Sequence, residues 1–212
     1  MSIQERRERE RAEREKLIIA AARELAETEG WDAVTTRRLA ERVEYSQPVL
    51  YSHFDGKDAI KAAVAVEGFA ELATGLAAAR AAAPDPARAL AAVSDAYMDF
   101  ARRRPALYDA MFSQTVDLPF ATAAAPPALQ AGFGELAEAL RPHANGDDLG
   151  LLTEVFWAAL HGLATLTRGG RLPAGSHDRR LAILLARFVP AAGPGPDARR
   201  TLPISPAQAT DS

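Results

Sequence analysis

The chain has 212 residues, 48% hydrophobic and 25% charged, a balance that builds one or two globular units with a sizeable core and excludes a disordered or fibrous protein. It contains no cysteine, which rules out disulfide scaffolds, thiolate metal sites and cysteine nucleophiles. Net charge is −3, and residues 1–57 hold 11 Lys and Arg against 12 Asp and Glu, so bulk electrostatics announces no polyanionic partner and any such partner must be argued from placement.

The opening residues, MSIQERRERERAEREK, lack the apolar stretch of a secretory signal, and no later segment runs 18 uninterrupted apolar residues. The expectation is a cytoplasmic protein with no membrane partner. Residues 1–16 read as a charged extension. Glu5 and Arg9, Arg6 and Glu10, and Glu10 and Arg14 are four apart, a spacing that supports a helix by about 0.3 kcal/mol per pair. The arm is either a solvated helical lead-in or a strip laid against phosphates.

Helical signals then recur and strand signals do not. Residues 17–29 put Ile18, Ala21, Ala22 and Leu25 on one stripe, and Gly30 stops the helix where a left-handed residue is favoured. Thr35 caps a second helix whose Leu39, Ala40 and Val43 share a face, with Arg37, Arg38 and Arg42 mostly off it. Glu44 and Tyr45 leave room only for a tight turn, and Ser46 is an N-cap for a third helix running to about Phe54. Pro48 sits in its first turn, where a missing N–H does no harm. Leu50 and Phe54 point inward, Val49 and His53 lie at the border, and Gln47, Pro48, Tyr51 and Ser52 face out. Two short helices joined by a tight turn, with an outward polar and aromatic face, form a helix-turn-helix whose second helix fits a major groove.

The run TTRRLAERVEYSQPVLYSHFDGKDAI resembles the signature of the TetR family of bacterial transcriptional regulators, most strongly through Leu50, Tyr51, His53, Phe54 and Lys57. The resemblance spans about Leu17 to Lys61. It implies base-edge contacts from Gln47 and Pro48, and phosphate contacts from Thr35, Ser46, Tyr51, His53 and Lys57; Thr36, Arg37 and Ser52 complete the candidate DNA-contacting set. The chemistry of the residues agrees: hydroxyls and an ammonium suit phosphate oxygens, and Gln offers a donor and acceptor pair to a base edge. Tyr51 and His53 have a second reading, as closers of the three-helix core. One departure is Glu44, where the family usually has Gly; it is tolerable if its φ stays negative and its carboxylate turns from the phosphates.

Beyond Lys57 the chain continues far past what DNA reading needs. Helices are expected at about 58–82, 86–104, from Pro105 through ALYDAMFSQ, at 127–141, at 148–168 after an Asp147 or Asp148 cap, and at 177–189, with DLPFATAAAPP as a loop and Pro-rich residues 191–212 as a flexible tail. The fold class is thus all-α with nine helices: a head over 17–57 and a ligand-binding and dimerisation domain over 58–190.

The helix at 148–168 is apolar nearly all round. Leu152, Phe156, Ala159, Leu163 and Leu166 form one face, and Leu151, Ala158, Gly162 and Thr165 a narrow opposite one. The narrow face, with Ala182, Ala186 and Val189 of the last helix, fits a second copy of the chain, as the resemblance also implies. A homodimer would meet a pseudo-palindromic double-stranded operator. The alternative is a wider intrachain core. FWAALHGL resembles a C-terminal subtype of the family marked by Trp, His and Gly. Trp157 and His161, with Tyr97, Phe100, Tyr108, Met111 and Phe112, are candidate lining for a small apolar or amphipathic effector; each has a core reading beside it. No HxxxH or HExxH spacing, phosphate loop or G-x-S-x-G turn is present, so no catalytic residue, metal or cofactor is expected. The competing reading is a DNA-binding or protein-docking module without an effector, which a filled, cavity-free core would favour.

Overall fold

The computed structural model describes residues 2–112, 118–119 and 124–189. The expected tail at 191–212, most of the loop after Phe112, and Ser113 and Gln114 at the end of the sixth expected helix lie outside the described residues. Among the described residues there are nine α-helices and no strand.

Helix α1 spans Ile3–Glu29, so the charged extension and the first core helix are one continuous helix. A capping box starts it: Ser2 Oγ accepts from the Glu5 amide, and the Glu5 carboxylate accepts from the Ser2 amide. Arg6–Glu10 and Arg11–Glu15 run along its exposed first half. Gly30 ends it at φ +84°. Helices α2 (Thr36–Arg42) and α3 (Gln47–Tyr51) follow; α3 is shorter than expected, stopping before Phe54. Buried Ile18, Ala22, Leu25, Leu39 and Leu50 hold this head together.

Helix α4 (Lys57–Ala82) is the spine, packing against α1, α5 (Pro86–Arg103), α6 (Pro105–Met111) and α7 (Pro127–Leu140). Its Ile60, Val64, Phe69, Leu72 and Leu76 make the core continuous from the head into the large domain. The closest approach is at Gly68, where an added Cβ would meet Met111 Sδ at 2.8 Å and Leu107 Cδ1 at 2.9 Å. Local chemistry sets the boundaries: Asp85 and Asp148 cap α5 and α8 (Leu149–Arg168) by accepting from the amides of Arg88 and Leu151. Helix α9 (His177–Phe188) closes the chain's described part.

The phase of α8 differs from the sequence expectation. Its buried residues are Thr153, Phe156, Leu160 and Ala164, while Leu166 is 44% exposed. Apolar residues occur on every side of this helix, and Thr153 can enter the core because its hydroxyl donates to the Leu149 carbonyl at 2.6 Å. Helices α4 and α8 have the length and composition of a membrane span, but α4 spends its apolar residues on the helices around it.

Candidate DNA-reading face and ligand chamber

In the head, the α2–α3 turn is a Schellman motif: Val43 is the C-cap, Glu44 follows it, and the Tyr45 amide donates to the Ala40 carbonyl at 2.9 Å. Glu44 occupies the left-handed position at φ +57°, so the expectation of a negative φ does not hold. The geometry of the motif demands αL whichever residue stands there. Thr35 caps α2, its hydroxyl accepting from the Arg38 amide at 3.2 Å. Ser46 occupies the N-cap position of α3 with its hydroxyl unused by the cap.

Buried Leu50 pins α3, and Ser46, Gln47, Pro48, Tyr51 and Ser52 all stand exposed on it, beside exposed Thr35 and Arg37. The Thr36 hydroxyl and the Tyr51 phenol lie 3.4 Å apart, joining α2 to α3. Nearby arginines are tied within the head: Arg37 to Glu41 and Arg38 in a fork to Glu29. Two candidates sit differently. His53 turns inward, its side chain 5% exposed and its Nδ1 3.2 Å from a Glu15 carboxylate oxygen, and Lys57 donates to the Trp31 carbonyl at 2.6 Å. Both brace the head as it stands.

The large domain carries a chamber of about 790 Å³ that is open on one side, with exposed Glu154, Ala158 and Phe133 in its wall. Of the expected lining, Tyr97, Phe112 and Trp157 face it. Tyr108 and His161 line a separate cleft of about 350 Å³ with Asp109, Thr165 and Arg168, and Phe112 borders both. Phe100 and Met111 line neither; Met111 is 1% exposed and fills the α4–α6 contact. Sequence reasoning missed Phe69, Leu72, Leu129, Phe133 and Leu136, whose helical spacing is that of ordinary core residues.

A hydrogen-bonded chain links chamber and cleft. The Trp157 indole donates to the Tyr97 oxygen at 3.2 Å, the Tyr97 and Tyr108 phenols are 2.9 Å apart, and Tyr108 lies 2.7 Å from His161 Nδ1. Burial pushes the Tyr97 phenol up to about 12 and raises Tyr108, so both stay protonated. Burial, then the Arg168 charge, lowers His161, which favours the neutral ring. The indole can only donate, so Tyr97 accepts from Trp157; in the tautomer with Nδ1 bare, Tyr108 can donate to His161 and Tyr97 to Tyr108.

Helix α6 joins this region to the head. The Glu27 carboxylate accepts from the amides of Ala106 and Leu107 at 3.2 and 3.1 Å, capping α6 from α1. The Trp31 indole donates to the Ala106 carbonyl at 2.7 Å, and Glu71 engages both Arg23 of α1 and Arg104 at the α6 start. On the outer side of α8 and α9, Leu151 (62%), Val155 (60%) and Ile183 (54%) are exposed beside Ala182 and Ala186, with Gly162 and Val189 part-covered; exposed Ala158 and Thr165 lie at the rims of the chamber and the cleft.

A three-helix head carrying a helix-turn-helix, continuous with a larger helical domain around a chamber, is the architecture of a transcription regulator. Residues 18–64 match the family model for bacterial regulatory proteins of the tetR family, and residues 90–188 the tetracyclin repressor-like C-terminal domain. The chain belongs to the TetR family, whose members are helix-turn-helix, DNA-binding transcription regulators. It is 32% identical to the uncharacterized HTH-type transcriptional regulator YobS of Bacillus subtilis (strain 168) over 103 residues, 49% of this chain and 53% of YobS. It is 51% identical to the tetracycline repressor protein class G of Vibrio anguillarum over 43 residues, 20% of each. The chain thus spans about half, or less, of these relatives' lengths. A Rhodococcus sp. RHA1 protein of unknown function superposes with a TM-score of 0.66 at 25% identity, over 82% of this chain and 92% of that one.

Proposed function

We propose that the chain is a homodimeric repressor that binds a pseudo-palindromic double-stranded operator in the cytoplasm and is released from it by a small apolar or amphipathic molecule held in the chamber. The observation that carries this reading is α6: Phe112, at its C-cap, borders the chamber, and the helix start is bonded to Glu27 and Trp31 of the head. A ligand that prefers one placement of α6 thereby prefers one placement of the head. Gln47 and Pro48 read base edges; Thr35, Thr36, Ser46, Tyr51 and Ser52 hold phosphates, joined by Arg37, His53 and Lys57 when they leave their present partners. Two copies meet through the exposed apolar face of α8 and α9, which puts two heads on half-sites one helical turn or a multiple of it apart. Trp157, His161 and Gly162 mark the Trp-His-Gly subtype. The chamber favours this reading over a module without an effector, since a filled core would leave no room for one.

Selection of duplexes from a random pool by the full chain tests it. Two inverted half-sites bound by a dimer are expected. No enrichment, or a single half-site bound by a monomer, would contradict it.

A further inference from the structure

The charge of the chamber's occupant can be read from its walls. Phe69, Tyr97, Phe112, Phe133 and Trp157 supply ring surface, with Phe112 standing 5.5 Å from Phe69 and 6.0 Å from Trp157 between centroids. Glu154 is the one charged residue among the described lining residues; no Lys, Arg or His is there. None of the ion pairs or hydrogen bonds of the described residues uses its carboxylate. Arg168, which lines the cleft that shares Phe112 with the chamber, is held by Asp109 at 2.8 Å and the Pro105 carbonyl at 3.0 Å. The indole N–H of Trp157 is spent on Tyr97, the Tyr97 phenol is paired with Tyr108, and a Gln130 amide proton is spent on the Ala125 carbonyl. What remains for a ligand among the described polar groups is dominated by acceptors, one carboxylate and the Gln130 carbonyl oxygen, in a wall rich in aromatic rings.

From this we infer that the effector class is an amphipathic cation, an aryl or alkyl amine or quaternary ammonium whose apolar body lies among Phe69, Leu72, Leu129 and Leu136 and whose positive head sits between Glu154 and the rings. Ring faces attract a cation through their quadrupole, and a carboxylate next to them adds a counter-charge. An anionic ligand of the same shape would meet Glu154 with no basic group to offset it. The inference rests on the chamber being the effector site.

The test uses the full chain and four probes with one skeleton: 4-phenylbutylamine, its trimethylammonium derivative, 4-phenylbutanol and 4-phenylbutyrate, titrated by calorimetry. Both cations are expected to bind about tenfold tighter than the alcohol, with the carboxylate weakest. Glu154→Gln should bring the cations down to the alcohol's affinity and leave the alcohol unchanged, and Glu154→Lys should turn the order toward the carboxylate. Glu154 is exposed in the subunit beside the proposed dimer face, so melting temperature and dimer size are measured for both variants, and a loss of cation preference counts only in a variant that stays folded and dimeric. Equal binding of all four, tighter binding of the carboxylate, no binding of either cation at millimolar concentration, or a preference that survives Glu154→Gln would each overturn the inference. Duplex selection is read separately, so a chain that binds these cations but enriches no operator would sink the regulatory reading and leave the ligand class standing.

Discussion

Glu44 holds a backbone conformation that costs an L-residue about 1 kcal/mol or more, at φ +57° in the turn between the two reading helices. Its side chain is exposed, so replacement removes little packing. Glu44→Gly should stabilise the chain by about 1 kcal/mol, raising the melting temperature by about 2–4 °C; an unchanged or lower value would show that the strain is absent in solution. At His161 the same scale of reasoning gives a pH effect. Its folded pKa lies below the ordinary value of 6.5, so as pH falls through 6.5 the unfolded chain takes a proton that the folded chain resists. The stability His161 contributes is full above pH 6.5 and is lost between there and the lower folded value. Protonation makes both ring nitrogens donors, so that Tyr108 must accept from Nδ1. His161→Gln, neutral throughout, should therefore lose less stability than the parent on acidification from pH 7.5 to 5. A gap in melting temperature that stays constant across that range would remove the buried neutral imidazole from the account.

At the scale of elements, α6 is a seven-residue helix whose start is capped by a carboxylate from another domain's helix. So short a helix has little stability of its own. Glu27→Ala should cost about 1–2 kcal/mol and speed hydrogen exchange at the amides of Ala106 and Leu107 while leaving α8 protected; unchanged exchange at those two amides would mean that the cap does not hold in solution. On α8, Gly162 has open space where a Cβ would project, so a larger side chain there strains nothing within the subunit. It would instead push a second copy away. Gly162→Leu should weaken the dimer in a sizing measurement without lowering the subunit's melting temperature, and a fully dimeric variant would put the contact elsewhere. Most helix limits were legible in the sequence because local groups set them: Gly30, Thr35, Asp148 and the first-turn prolines act within a few residues, whereas the start of α1 and the end of α3 were not. The inner face of α8 was not, because a threonine, Thr153, is buried there while an apolar residue, Leu166, is exposed.

Across the whole molecule, the DNA-reading candidates were largely legible because Gln47, Pro48, Tyr51 and Ser52 crowd a single short helix around one inward Leu50. The inward turn of His53 was harder to read, since its partner Glu15 lies 38 residues away in the charged extension. The chamber was only half legible. Tyr97 and Trp157 stood out as large polar-edged residues, whereas Phe69, Leu129 and Phe133 come from separate helices and carry no pattern distinct from core packing. The alternation of Arg and Glu along residues 5–16 marked a helix, though not its fusion with α1. The proposed repressor requires that α3 read base edges while its neighbours hold the backbone. The direct measurement is titration of the parent, Gln47→Ala and Tyr51→Phe against the selected operator and its single-base variants over a range of salt concentrations. Steep salt dependence is expected for all three, with Gln47→Ala losing about 1–3 kcal/mol and its preference at one base position, and Tyr51→Phe weakened evenly on every sequence. A log–log salt slope near zero, or a Gln47→Ala loss spread evenly over all sequences, would contradict it.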